Sequence, residues 1–119
     1  MTIYLVDCEN VHNDGLAGIE RLTGTDQVVL FYGKQQNSIA LSVVKILLSS
    51  SCPIDLLQMK ETGKNFLDMQ LAIHMGILMK TYPEAEFVII SKDKGFDSLL
   101  LYAKDCGRIA SRRSVIDEM

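Results

Sequence analysis

A three-layer α/β/α sandwich around a mostly parallel sheet of four to five strands is the fold this sequence predicts. Short apolar runs such as Ile3-Tyr4-Leu5-Val6 and Phe87-Val88-Ile89-Ile90 have the continuous hydrophobicity of strands buried on both faces. Segments with apolar residues at helical spacing lie between such runs, and this alternation implies βαβ units with right-handed crossovers. No linker, internal repeat or low-complexity stretch interrupts the pattern, so the 119 residues read as one domain, 1–119.

Residues 2–6 are the first strand. Residues 11–26 read as loop with one short helix, since Leu16, Ile19 and Leu22 share a face among several glycines. Val28–Tyr32 is the second strand, stopped by Gly33. Ile39, Val43, Ile46 and Leu47 predict a helix to Leu48, capped by Asn37 or Ser38. Pro53–Gln58 is a weaker third strand, with Pro53 at its start, where a missing donor does little harm. Asn65 to Lys80 is the longest helix, capped by Asn65 and ended by Pro83. Glu86–Ile90 is the fourth strand, Asp97–Cys106 a helix stopped by Gly107, and Arg108–Ser111 a short fifth strand. Val115–Met119 has no assigned element.

Composition narrows the function classes. A hydrophobic fraction of 48% and a charged fraction of 23% are ordinary for a globular protein. The net charge of −3 gives no global basic field for a polyanion, although a carboxylate-rich metal site itself shifts the balance toward acid. Cys8, Cys52 and Cys106 are widely spaced and contain no CxxC pair, which suggests reduced thiols and a cytoplasmic location. The opening MTIYLVDCEN lacks a basic flank and reads as a strand, not a signal peptide. No apolar stretch approaches the ~20 residues of a membrane helix, so no membrane partner is expected.

The chemistry concentrates in acids placed where strands end or helices begin. Asp7 closes the first strand, Asp93 follows the fourth, Asp68 lies in the first turn of the long helix, and Asp97 opens the next helix. Ligands of open α/β sheets bind at the carboxyl ends of the strands. Asp68 shares a face with Leu71, Ala72, Met75 and Met79, where a carboxylate is disfavoured unless a cation or donors meet it. The structural alternatives are a turn-forming role for Asp7, a helix-dipole role for Asp68 and an N-cap role for Asp97. Asp93 has no such alternative.

Carboxylates gathered at a sheet mouth suit Mg²⁺ or Mn²⁺, which prefer oxygen ligands and keep several waters. Such ions can activate water and stabilise the leaving oxygen in phosphodiester cleavage. Glu9 is balanced between site edge and solvent, and Asn10 between site and cap. Gly63-Lys64-Asn65 offers donors to an anionic backbone, and Ser91 can orient a ligand or water. Lys92, Lys94, Arg108, Arg112 and Arg113 can follow a nucleic-acid strand, although each is more commonly a solvated charge. His12 and His74 lack ligand spacing, and His74 is expected against the sheet. Met69, Met75 and Met79 read as core, and no phosphate-binding P-loop pattern occurs.

Three motifs in order, Leu5-Val6-Asp7-Cys8-Glu9-Asn10-Val11, Gly63-Lys64-Asn65-Phe66-Leu67-Asp68 and Ile90-Ser91-Lys92-Asp93-Lys94-Gly95-Phe96-Asp97, resemble the PIN-like nuclease superfamily. The resemblance is nearest to small bacterial PIN-like proteins by the NYN branch and runs from residue 2 to about residue 110. It implies a PIN-type fold and Mg²⁺- or Mn²⁺-dependent cleavage of RNA by Asp7, Asp68, Asp93 and Asp97, the first three holding the metal. RNA is then the partner, contacted by Asn10, Lys64, Asn65, Ser91 and Lys92, with a homo-oligomer left open. Many relatives carry an acid-x-acid pair in the last motif. Here position 95 is Gly, so Asp97 takes the fourth role from a shifted position.

A haloacid-dehalogenase-like phosphatase also begins with Asp after its first strand, but its Asp-x-Asp pattern meets Glu at position 9. A response-regulator receiver needs a phosphoacceptor after the third strand, where Gln58-Met59-Lys60 offers none. A PIN-like module that binds RNA or protein without cutting is the alternative from another class.

Overall fold

The computed structural model describes residues 1–117. Its strands are β1 (Thr2–Asp7), β2 (Gln27–Tyr32), β3 (Ile54–Gln58), β4 (Glu86–Ile90) and β5 (Ala110–Arg113). They form one sheet in the order β3-β2-β1-β4-β5, with every neighbouring pair parallel. Helices α1 (Cys8–Val11), α2 (Leu41–Ser49), α3 (Phe66–Thr81) and α4 (Asp97–Asp105) make the crossovers, with 3₁₀ turns at His12–Leu16, Ile19–Arg21 and Lys94–Phe96. The α/β/α expectation holds, with five strands and a wholly parallel sheet among the described residues.

Strand order dictates the layers. From β1 the chain steps outward to β2 and β3, then returns past β1 to β4 and β5. Crossovers of constant hand put the first leg's helices on one face and the second leg's on the other. Ile3, Leu5, Phe31, Phe87 and Ile89 accordingly pack with Leu71 and Met75 of α3 and Leu100 of α4. The alternate residues Tyr4, Val6, Leu30, Val88 and Ile90 pack with Cys8, Val11, Leu16 and Ile19. Both faces of the central strands are buried, which explains their unbroken apolar runs. The direction reverses between β1 and β4, and there the carboxyl ends leave a crevice.

Several local expectations change. The 11–26 segment holds two 3₁₀ turns, and a short helix precedes it at Cys8. Helix α2 starts at Leu41 after Ala40, without a side-chain cap from Asn37 or Ser38, and buries none of its residues fully. The fifth strand begins at Ala110 because Arg108 has another task. Its guanidinium donates to the carbonyls of Met79 (2.7 Å), Tyr82 (2.7 Å) and Ala85 (3.0 Å) and lies over the Phe87 ring. It thereby serves the carbonyls left open where α3 ends.

His74 meets Phe31 edge to face, as expected of a residue against the sheet. The tail contributes buried Ile116, whose N–H donates to Gly15 O (3.1 Å). Residues 118–119 of that unassigned tail lie outside the described residues. Cys8, Cys52 and Cys106 are unpaired, and among the described residues no helix is long and apolar enough to cross a membrane.

Candidate active site

Asp7 does two local jobs at once. As the last residue of β1 it caps α1, its Oδ1 accepting from the Asn10 N–H (3.3 Å). Its Oδ2 accepts from the Ser91 hydroxyl (3.1 Å), which is fully buried just beyond β4. The Ser91 oxygen in turn accepts from the Asp93 N–H (3.0 Å), and the Asp93 carboxylate accepts from the Gly95 N–H (2.8 Å). Asn10 closes the stitch, its Oδ1 accepting from the Lys92 N–H (2.8 Å). Side chains thus fasten the ends of β1 and β4 to each other across the crevice.

The third wall is the start of α3. Asn65 precedes it with φ of +64°, a left-handed conformation that asparagine tolerates better than most residues. Its side chain makes no capping bond, contrary to expectation, and lines the crevice instead. Asp68 follows one turn later, half-buried.

Between these walls lies a pocket of about 190 Å³ lined by Asp7, Glu9, Asn10, Asn65, Asp68 and Asp93, above Phe66 and Leu67. Among the described residues no basic side chain lines it. Burial pushes the Asp7 carboxyl up to about 6; the charges of Asp68 and Glu9 add to this, while the bonds from Ser91 and Asn10 oppose it. Asp68 is also raised, first by burial and then by Asp93 and Glu9. For Asp7 and Asp68 burial leads and the neighbouring acids add to it, as expected where no cation neutralises them.

Of the residues singled out from sequence, Asp7, Asp68, Asp93, Asn10 and Asn65 meet at this pocket, and Glu9 joins them. Ser91 lies beneath and orients Asp7; it does not line the pocket. Asp97 does not join. Its carboxylate accepts from Arg112 Nε (2.8 Å) and Nη2 (3.4 Å), and that bond holds its pKa below the ordinary range. Nor is it the N-cap: a 3₁₀ turn intervenes, so Asp93 caps the turn and Asp97 is the first residue of α4. Lys64 and Lys92 are exposed and do not line the pocket.

The arginines expected to follow a strand are engaged within the fold. Arg112 also donates to Ser91 O (3.2 Å), Arg113 donates to Ile116 O (3.1 Å) and lies over the Tyr4 ring, and Arg108 closes α3. Glu9 had a sequence signal, two residues beyond Asp7. What sequence could not display is that Gly33 makes room for it, since a Cβ there would collide with the Glu9 carboxylate.

The donor set discriminates among metals. Among the described residues no three His, Cys, Asp or Glu side chains are gathered closely enough to clasp an ion directly. Zn²⁺, which takes three or four direct protein ligands, has no such set here. Mg²⁺ and Mn²⁺ use one or two carboxylates and retain waters, and an all-oxygen, negatively charged pocket fits them. A family model described as PIN domain matches residues 1–113. No curated protein and no solved structure matches the chain.

Proposed function

The chain belongs to the PIN domain family, whose members are generally nucleases, and we propose that it is a Mg²⁺- or Mn²⁺-dependent ribonuclease that cleaves phosphodiester bonds of single-stranded RNA. The observation that carries this reading is the acid pocket at the point where the sheet reverses, with Asp7 raised to about 6 by burial and, to a lesser degree, by the acids beside it.

In this reading one or two of Asp7, Asp68 and Asp93 would bind the cation directly and the rest through its waters, with Glu9 as the fourth acid in place of Asp97. A bound cation would lower the pKa of a water so that it can give up a proton near neutral pH, and would neutralise charge on the phosphate. The chain's own residues do the positioning. Ser91 and the Asn10 N–H fix both oxygens of Asp7, and the Gly95 N–H fixes Asp93. The Asn65 amide faces the pocket without a capping bond and is placed to donate to a phosphate oxygen. Glu9, at the exposed rim, is the acid left to accept a proton from the attacking water. Without a cation this pocket repels RNA, so binding and cleavage should both require the metal.

Purified protein should cut single-stranded RNA with Mn²⁺ or Mg²⁺ and stop in EDTA. Rapid hydrolysis of a phosphomonoester with RNA left whole would establish the phosphatase reading instead. A non-cutting RNA-binding module is the second reading, favoured by the pairing of Asp97 with Arg112. It predicts RNA binding with no cleavage in any divalent ion.

A further inference from the structure

Glu9 is shared between the acid pocket and a second hollow of about 310 Å³ on the β2 side, walled by His12, Lys34, Gln35, Gln36 and Thr62. We propose that this hollow seats the nucleotide adjacent to the scissile phosphate of a single-stranded RNA, gripped by Gln35 and His12. The proposal rests on the ribonuclease reading and adds a direction for the strand.

Side-chain bonds hold the wall of the hollow. Gln36 Oε1 accepts from the Gly33 N–H (2.7 Å), and Gln36 Nε2 donates to Cys8 O (3.2 Å). Gln58, at the end of β3, places its Nε2 2.9 Å from Asn37 Oδ1, 3.0 Å from Gln36 O, 3.1 Å from Lys34 O and 3.3 Å from Gly33 O. Lys34 pairs with Glu61 at 2.6 Å. The backbone of 33–37 is thereby held, and of its side chains only that of Gln35 is left without a bond among the described residues. Among the described residues the side chains of His12, Gln35 and Thr62 make no hydrogen bond. A held loop with unengaged amide, imidazole and hydroxyl groups is a preorganised contact surface.

His12 adds an independent sign. It has φ of +53° and ψ of −149°, a conformation that favours glycine, so an imidazole stands here against backbone strain. Imidazole rings stack on unpaired bases, and amides bond to base edges. The size lies at the lower end of small-ligand clefts, ~300–1,000 Å³. Lys34 lines the hollow but is paired with Glu61, so the contacts fall to Gln35, His12 and Thr62.

The test uses single-stranded RNA carrying 4-thiouridine and the whole chain, with binding and crosslinking measured in Ca²⁺ and cleavage in Mn²⁺. His12→Ala with Gln35→Ala should weaken binding by about tenfold or more and raise KM for cleavable RNA by a similar factor, with kcat within about twofold. His12→Gly, which suits the observed backbone, guards against a folding defect and should weaken binding alone. Photocrosslinks should map to His12 or to residues 33–36. Wild-type affinity and KM in the double variant, or crosslinks confined to Lys92–Lys94, would overturn the proposal. Wild type that binds the RNA but never cuts it refutes the ribonuclease reading. In that case weaker binding by the double variant still supports the hollow, and unchanged binding still overturns it.

Discussion

Replacing Asp7 with Asn should make the metal-free protein more stable at neutral pH, a reversal of what a buried hydrogen-bonded residue ordinarily shows. Burial and neighbouring acids raise the carboxyl from its ordinary 3.8 to about 6 in the folded state. A group raised on folding contributes stability that is complete below its unfolded pKa and lost as pH rises through its folded pKa. For Asp7 that window runs from 3.8 to about 6, and above it the carboxylate is charged and uncompensated. The full gap corresponds to about 3 kcal/mol, which relaxation and residual solvent reduce to about 2 kcal/mol. Asparagine keeps an oxygen for the Asn10 N–H and carries no charge at any pH. In EDTA at pH 7.5, Asp7→Asn should therefore unfold in urea with about 2 kcal/mol more stability, or melt about 8 °C higher. By pH 4 the difference should nearly vanish. Adding Mg²⁺ should raise wild type and leave the variant almost unmoved. A variant that is less stable at pH 7.5 in EDTA, or a gap that ignores pH, would refute the reasoning.

Asp68→Asn should lower kcat for RNA by at least about 10²-fold and shrink the Mg²⁺-dependent rise in Tm, with circular dichroism unchanged. Asp97→Asn should reduce kcat by no more than about tenfold, because Asp97 acts on the site only through Arg112 and the Ser91 carbonyl. A loss as deep as that of Asp68→Asn would return Asp97 to the cation set. Arg108→Ala should cost about 2–4 kcal/mol in denaturant titration by removing three guanidinium bonds, of whose carbonyl partners only Tyr82 O keeps a backbone donor outside the sheet and helices, the Ala85 N–H, while KM for RNA stays put.

Much of the fold was legible because both faces of the central strands are buried. Glu86–Ile90 was readable to the residue, and Val28–Tyr32 to within one. Strands whose side chains do other work were harder. Arg108 looks like strand in sequence, and only its three distant carbonyl partners show why the strand begins later. Helix α1 is one turn long, too short for periodicity to register, and its cap is the same Asp7 that a functional reading claims. Asp7, Asp68 and Asp93 were legible as acids at element ends. The fate of Asp97 was not, since its partner Arg112 lies on another strand and polar spacing does not reveal pairing. The strand order that brings β1 beside β4 is likewise a long-range fact with no local signature.

Helix α2 is lightly packed, with Leu41 73% and Leu48 81% exposed; it rests against the Ile19–Arg21 turn, and it leads into the edge strand β3, whose Leu56 is 55% exposed. Few buried contacts hold this corner, so its amides should exchange with deuterium ahead of those along β1 and β4. Yet β3 ends in Gln58, the side chain that secures residues 33–37. Breathing at this corner would therefore loosen a wall beside the acid pocket without disturbing the stitch between Asp7 and Ser91. Exchange should be slow at the centre and faster at this flank, which reaches the rim of the site.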